Sequence, residues 1–320
     1  FSFILINVIG IYVFWGGLIG LEQLILSIDS SISTFVLVPV PMFILMGTVI
    51  FHSGIAYRMI DVLDEWLGQV VGRLALLAIG AGSLFATLTG VAMGSVAMLG
   101  STLVPDMERR GYSKSMSIGP ILASGSLAIM IPPSALGVIL ASLGQFSVGK
   151  LLVGILLPGI LLAVVYAAYI VIRCLIQPNL APAYDVEPTP IWPRINRTIR
   201  YVVPLVTIIV VVIGTIFFGI ATPTEAAALG ALFCFLLVAI YGKLNWEVVK
   251  KSVAAATSIS VMVFIILTGS TAFSQILAFT GITVGITELA LVWSEHPIFV
   301  LLAMQLILLL LGMFVEQTSI

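Results

Sequence analysis

The chain has 320 residues, of which 61% are hydrophobic and only 8% charged, and its formal net charge is −1. So little charge cannot cover the surface of a water-soluble domain of this length, and the near-neutral balance offers no footing for a nucleic acid. The composition is that of an all-α polytopic membrane protein. The alternating strands of about ten residues that mark a β-barrel do not appear.

Uncharged runs at 30–57, 74–105, 115–149, 151–172, 201–224, 252–287 and 297–315 each reach the roughly 18–20 residues needed to span hydrocarbon. Phe1–Leu21 predicts a first span and Glu22–Thr34 an acidic loop. Phe35–Phe51 predicts the next span, opened by Pro39 and Pro41. Tyr57–Val71 changes character. Met59, Ile60, Val62, Leu63, Trp66, Leu67, Val70 and Val71 recur at helical spacing opposite Arg58, Asp61, Asp64, Glu65 and Gln69. Such a two-faced split predicts a helix lying in the membrane interface.

Leu74–Pro105 is uncharged, with Arg73 at one flank and Arg109, Arg110 and Lys114 at the other. If basic flanks mark the cytoplasm, a helical hairpin entering and leaving by one face fits, its tip near Thr89–Ser95. Met116–Leu143 predicts a broken span, because Pro132 and Pro133 interrupt it. Leu151–Ile172 is a clean span. Residues 173–200, rich in arginine and proline, predict a polar linker between halves. Tyr201–Gly219 and Pro223–Tyr241 predict spans. Lys243–Ser252 predicts a second interfacial helix, Val253–Gly281 a second hairpin, and a span begins at Pro297. No Met opens the chain and its last residues, GMFVEQTSI, stop inside an apolar pattern, so material is expected to be missing at both ends.

A repeat runs through this order. Phe85–Gly90 and Phe264–Gly269 share the pattern F-x-x-L-T-G at an offset of 179, and Trp66 maps onto Trp246 at 180. At that offset Pro132 falls on Gly312. The predicted organisation is a first repeat half at 1–172 (hairpin about 74–105, broken helix about 116–143), a linker at 173–200, and a second half at 201–320. In the second half the hairpin is placed at about 253–281 and the broken helix starts at about 297. The acidic loop 282–296 and the lysines of 243–251 point to opposite membrane faces, so charge leaves the orientation of the second half open.

The stretch SGSLAIMIPPSALG, residues 124–137, carries the chemistry. Pro132 and Pro133 have no N–H to donate, and carbonyls one turn earlier lose their helical partners. An orphaned carbonyl in lipid is unfavourable by several kcal/mol unless something takes it. A dehydrated Na⁺ is one such partner, and facing half-helix ends suit ions and anionic substrates. The candidate first sodium site is Thr89, Gly90, Gly94, Ser95, Ser124, Gly125, Pro132 and Ser134. The repeat gives a second, from Thr268, Gly269, Ser270, Thr271, Gly312, Glu316 and Thr318. Ser95, Ser126, Pro133 and Thr271 are candidate substrate contacts. The plainer reading is a proline-kinked helix packed on small residues, Gly90 and Gly94 forming a G-x-x-x-G contact.

Thr222-Pro-Thr-Glu225 reads as a capping box rather than a site. Cys174 and Cys234 are too few and too far apart for a disulfide framework. His52 and His296 fall at span ends, and no H-E-x-x-H is present, so no enzyme is indicated. The sequence supports a secondary transporter, with a self-sufficient sodium–carboxylate symporter and a non-transporting scaffold as alternatives.

FILMGTVIFHSGIAYRMIDVLDEWLG, GSVAMLGSTLVPDMERRGYSK, ASGSLAIMIPPS, ATPTEAAALGA and LLLLGMFVE together resemble the large membrane subunit of tripartite ATP-independent periplasmic (TRAP) transporters, in order, from about residue 35 onward. The resemblance implies Na⁺-driven uptake of a small organic acid, such as a C4-dicarboxylate or sialic acid, across the bacterial inner membrane. It implies delivery by a periplasmic binding protein and bracing by a small four-helix membrane subunit. It also implies two hairpins and two discontinuous helices in an inverted repeat that moves as an elevator. Glu316 stands where many relatives have Asp.

Overall fold

The computed structural model describes residues 2–15, 17–68, 70–89, 92–182, 190–292 and 297–314. Its helices, in chain order, are α1 (Ser2–Phe14), α2 (Leu18–Ile32), α3 (Pro39–His52), α4 (Ile55–Leu67), α5 (Arg73–Thr89), α6 (Ala92–Arg109), α7 (Lys114–Met130), α8 (Ala135–Leu143), α9 (Val148–Ile176), α10 (Ile191–Tyr201), α11 (Val203–Phe217), α12 (Pro223–Ile240), α13 (Trp246–Phe279), α14 (Ile282–Val292) and α15 (Pro297–Phe314). The described residues contain no strand. Among the described residues, four helices are long and apolar enough to cross a membrane, or up to six if the bent pairs α7–α8 and α10–α11 each count as one span. The protein is a multi-pass membrane protein.

The chain divides into two compact units, residues 36–258 and residues 1–35 with 259–320. In the larger unit, α3 is nearly enclosed, with Val40, Phe43, Met46 and Ile50 fully buried. Thr48 and Ser252 tie α3 to the first turns of α13 reciprocally. The Thr48 hydroxyl donates to the Ser252 carbonyl at 3.1 Å, and the Ser252 hydroxyl donates to the Thr48 carbonyl at 3.2 Å. α12 lies on α3 through Gly230, where a Cβ would meet the Met46 sulfur at 2.9 Å. Small residues at such contacts let helices associate where lipid supplies no hydrophobic drive.

α4 is amphipathic and ends at Gly68. Arg73, at the start of α5, folds back over that end. Its guanidinium pairs with both Asp64 carboxylate oxygens at 2.7 Å and donates to the carbonyls of Asp64 (2.8 Å) and Gly68 (2.9 Å). A bidentate pair that also caps the last carbonyls of a helix combines charge, dipole and backbone satisfaction. The connecting Gly72 has φ +73° and so near an approach to α9 that a Cβ would sit 2.9 Å from the Cys174 sulfur. Both cysteines are buried and unpaired.

α5 and α6 run antiparallel, since Gly82 of one meets Leu99 of the other. The expected capping box is present: the Thr222 hydroxyl accepts from Glu225 N–H, and the Glu225 carboxylate accepts from Thr222 N–H at 2.8 Å.

The smaller unit packs α1 against α2 at Gly20, where a Cβ would meet the Ile11 carbonyl at 2.8 Å. Ile11, Leu24, Ala272 and Ile276 form its core.

Four expectations differ from the structure. The predicted span Phe1–Leu21 is divided between α1 and α2, and the predicted loop Glu22–Thr34 is mostly helical. Ser30 and Ser31 bond back to the Ser27 carbonyl, so this polar stretch satisfies itself within the helix. The separate interfacial helix at Lys243–Ser252 is instead the start of α13, capped by the Asn245 side chain accepting from Val248 N–H at 2.7 Å. The second hairpin at 253–281 is also absent as drawn, because α13 is unbroken to Phe279 and the helix stops at Thr280–Gly281, with Gly281 at φ +77°.

The Arg73–Asp64 pair gives a prediction. Arg73→Ala leaves a partly exposed carboxylate and two helix-end carbonyls without their donor, and is expected to destabilise by about 1–3 kcal/mol. Arg110→Ala removes the exposed pair to Asp106 and is expected to matter by less than about 1 kcal/mol. Thermal unfolding of the two variants in detergent, followed by loss of monodispersity, measures the difference.

Candidate functional site

The site is built where α7 stops. Ile131 N–H still reaches the Leu127 carbonyl at 2.9 Å. Pro132 and Pro133 cannot donate, so the carbonyls of Ala128 and Ile129 have no N–H four residues on. The axis bends by 49° between α7 and α8, and the Pro132–Pro133 bond is cis. Ser134 restarts the helix, its hydroxyl accepting from Gly137 N–H at 3.1 Å, an N-cap that the spacing S-A-L-G permits. The C-terminal end of α7 and the N-terminal end of α8, with opposite partial charges, therefore flank residues 131–134.

Three glycines set the break among its neighbours. At Gly82 a Cβ would stand 2.3 Å from the Cβ of Ser124 and 2.4 Å from its hydroxyl, so α5 meets α7 backbone to side chain. At Gly125 it would stand 2.6 Å from Val96, so the first turn of α6 rests on the same level of α7. At Gly159 of α9 it would stand 2.4 Å from the carbonyl oxygen of Met130. The interrupted helix is thus held by the antiparallel pair upstream of the break and by α9 at the break itself.

Of the first candidate set, Gly94 and Ser95 lie in the first turn of α6, while on α7 Gly125 packs on Val96 of α6 and Ser124 on Gly82 of α5. Thr89 ends α5, and Gly90 lies outside the described residues. Ser95, Ser124 and Ser134 are buried. Their hydroxyls already have local bonds: Ser95 donates to the Ala92 carbonyl (2.9 Å) and Ser124 to the Ile121 carbonyl (2.7 Å). Among the candidate substrate contacts, Ser126 lies 3.2 Å from the Tyr166 hydroxyl of α9 and donates to the Ala123 carbonyl. Pro133, with Pro132, faces Leu152, Val153, Ile213 and Ile216.

Of the second set, Thr268, Gly269, Ser270 and Thr271 are consecutive inside α13. The hydroxyls of Thr268 and Thr271 donate to the carbonyls of Phe264 (2.7 Å) and Leu267 (2.8 Å). The Gly269 carbonyl accepts from the buried Asn7 side chain at 2.6 Å, a contact that no pattern along the chain foretells. Gly312 sits within α15. Glu316 and Thr318 lie outside the described residues, as does His296.

A cavity of about 510 Å³ opens between α5, α7 and α9, lined among others by Ile79, Met116, Pro120, Tyr166 and Arg173. It flanks the first half of α7, well before the break. Among the described residues no cluster of His, Cys, Asp and Glu could hold a metal ion.

An interrupted helix, a hairpin packed on it and apolar spans on either side form an arrangement found in secondary transporters. The family model described as the tripartite ATP-independent periplasmic transporter, DctM component, matches residues 1–320. The chain belongs to this family. It is a large TRAP membrane subunit. It is 30% identical over 311 residues to the ectoine TRAP transporter large permease protein TeaC of Halomonas elongata, covering 97% of this chain and 72% of that one. It is 30% identical over 310 residues to the C4-dicarboxylate TRAP transporter large permease protein DctM of Rhodobacter capsulatus (94% and 70%). It is 27% identical over 295 residues to the sialic acid TRAP transporter large permease protein SiaM of Vibrio cholerae (91% and 67%). The family is one of transporter permease subunits, which is not an enzyme class.

The residues missed from sequence are those that make the large subunit's break possible rather than those that line it: Gly82, Gly159 and Tyr166. Their signal is a small or hydroxylated residue in the interior of a helix, which spacing alone does not pair with a partner. Gly159→Ala is expected to destabilise by about 1–3 kcal/mol or more, because a methyl group would meet backbone that cannot turn aside. Gly80→Ala, with nothing within 4 Å of its Cβ, is expected to be neutral or to stabilise by up to about 1 kcal/mol through helix propensity. Parallel melting curves of the two variants check the contrast.

Proposed function

We propose that this subunit carries a small organic acid, a C4-dicarboxylate, sialic acid or a similar carboxylate, across the bacterial inner membrane by sodium symport with elevator-type alternating access. A periplasmic binding protein hands over the substrate, and a small four-helix membrane subunit braces the assembly. The observation that carries this reading is the break at 131–134, with two carbonyls deprived of helical partners beside buried Ser134 and near the α5–α6 pair.

Chemistry favours an alkali cation there. Backbone carbonyls are hard, neutral oxygens, and a dehydrated Na⁺ compensates their loss of helical partners without adding a buried carboxylate. The substrate's negative charge would be met by N–H groups at a half-helix N-terminus rather than by a side-chain cation. No Lys or Arg falls inside the uncharged runs around the break. The names of the relatives extend from C4-dicarboxylate and sialic acid to ectoine and isethionate. One scaffold thus serves several small polar solutes, and selectivity resides largely in the delivering protein.

The subunit, reconstituted with the small subunit in liposomes and supplied with the binding protein, is expected to take up substrate only down an inward Na⁺ gradient. Equal uptake in choline buffer overturns the sodium coupling. Pro132→Ala restores an N–H that can close on the Ala128 carbonyl. It is expected to raise the half-saturating Na⁺ concentration by about tenfold, the equivalent of one weakened ligand at about 1.4 kcal/mol.

A further inference from the structure

The linker helix α10 carries three distinct faces. At 3.6 residues per turn, Ile191, Trp192, Ile195 and Ile199 fall within an arc of roughly 100°. Ile191, Trp192 and Ile199 are 69%, 80% and 59% exposed and Ile195 between them is partly buried, so the described chain leaves most of this stripe uncovered.

The second face is turned to α4. Arg197 forms an ion pair with Glu65 of α4, and the Trp66 indole N–H donates to the Thr198 hydroxyl at 2.7 Å. The Arg194 guanidinium lies 5.5 Å from the Trp66 ring centre, and that of Arg58 lies 5.9 Å from the Tyr201 ring centre. The third face holds Asn196 and Arg200, both exposed.

The position of α10 relative to lipid follows from what succeeds it. Only Val202 separates it from α11, with a bend of 41° between the two. From Tyr201 to Thr224 the chain carries no charge, and Arg200 is the last charge before that run. If α11 crosses the hydrocarbon, the end of α10 is fixed at its edge. A helix with three arginines and no acid cannot sink further, and a stripe of three isoleucines and a tryptophan is not left in water. Tryptophan, moreover, favours the headgroup level.

We infer that α10 lies in the headgroup layer of a bilayer containing anionic phospholipid, with Ile191, Trp192, Ile195 and Ile199 turned into the lipid and Arg200 toward the phosphates. In this position it is the membrane footing of α4, which it grips through Glu65 and Trp66. Lipid rather than protein is the occupant because the stripe is continuous with a spanning helix and the adjacent Arg200 is exposed beside it. This places an interfacial helix where the sequence predicts only a polar linker.

The test places nitroxide labels at Trp192→Cys, Ile199→Cys and Asn196→Cys in the full-length subunit, with the small subunit present, in vesicles of phosphatidylethanolamine and phosphatidylglycerol. Cys174 and Cys234 are buried and stay unlabelled. At 192 and 199, oxygen is expected to relax the label several-fold more effectively than a water-soluble nickel chelate, with the reverse at 196. Replacing phosphatidylglycerol by phosphatidylcholine is expected to shift 192 and 199 toward the nickel chelate. Nickel dominance at 192 and 199 in the anionic vesicles overturns the proposal in favour of a solvated linker. Low accessibility to both reagents overturns it in favour of a covering protein. No change on lipid exchange overturns the anionic part.

Discussion

A peptide carbonyl in hydrocarbon finds no water, and everything around residues 131–134 answers to that constraint. Two consecutive prolines remove the N–H groups that would serve Ala128 and Ile129, and the chain restarts only at the Ser134 cap. Such a break survives in lipid only where protein surrounds it. Here the surroundings are drawn in by glycine. Gly159 allows α9 to reach within contact of the Met130 carbonyl, while Gly82 and Gly125 let the antiparallel pair α5–α6 close on α7. Substituting a methyl group at any of these would push a helix away from the break and open the backbone to lipid. The glycines and the prolines are therefore parts of one device, although they lie on different helices.

The same economy governs α4. A strongly two-faced helix can float at the interface by itself, but this one is gripped from both sides. Arg73 wraps its C-terminal end with four hydrogen bonds, which ties it to the base of the α5–α6 pair. On its other side, Glu65 and Trp66 meet α10. Asp61, in the same row, is held above the usual carboxylate range, first by partial desolvation and then by the neighbouring Asp64 and Glu65, with Arg58 and Arg197 offsetting part of the effect. The two grips differ in kind. The Arg73 side chain is almost wholly withdrawn from solvent, so breaking its pair leaves an uncompensated charge. The Arg197–Glu65 pair has its arginine half in solvent, where screening leaves such pairs little energy of their own. The first holds α4 by strength and the second sets its direction.

What the sequence made legible follows the same physics. Proline and capping signals are local and chemically unambiguous, so the break at 131–134 and the Thr222–Glu225 box could be placed to the residue. The amphipathic split of α4 was legible because every charge falls on one side. The Thr268–Thr271 cluster misled because small hydroxylated residues look like a turn, yet inside the apolar α13 the Thr268 and Thr271 hydroxyls bond back to carbonyls one turn earlier and the helix stays intact. The helix stops about ten residues later, at Gly281, where positive φ favours glycine. α2 was hidden for the same reason, its serines closing on Ser27. α10 was hidden by proline and arginine, which read as linker when composition is taken without the phase of Ile191, Ile195 and Ile199. The close approaches at Gly82 and Gly159 are facts of tertiary packing, and no spacing rule along one chain reaches them.

On the proposed reading, the bonds of the serines narrow what an ion at the break would use. Ser95 and Ser124 donate their protons to carbonyls of their own helices, and the Ser134 oxygen already accepts from Gly137 N–H. A hydroxyl that donates one way still presents lone pairs the other way, so these oxygens could join a coordination shell without giving up their present bonds. Ala128 and Ile129 are in a different position. Their carbonyls have no backbone N–H ahead of them at any rotamer or tautomer, because proline has none to give. An ion gains most where the alternative is worst, and the alternative for those two oxygens is hydrocarbon. The carbonyls would therefore supply the affinity and the serines the geometry, so that loss of a proline should weaken the ion more than loss of a hydroxyl.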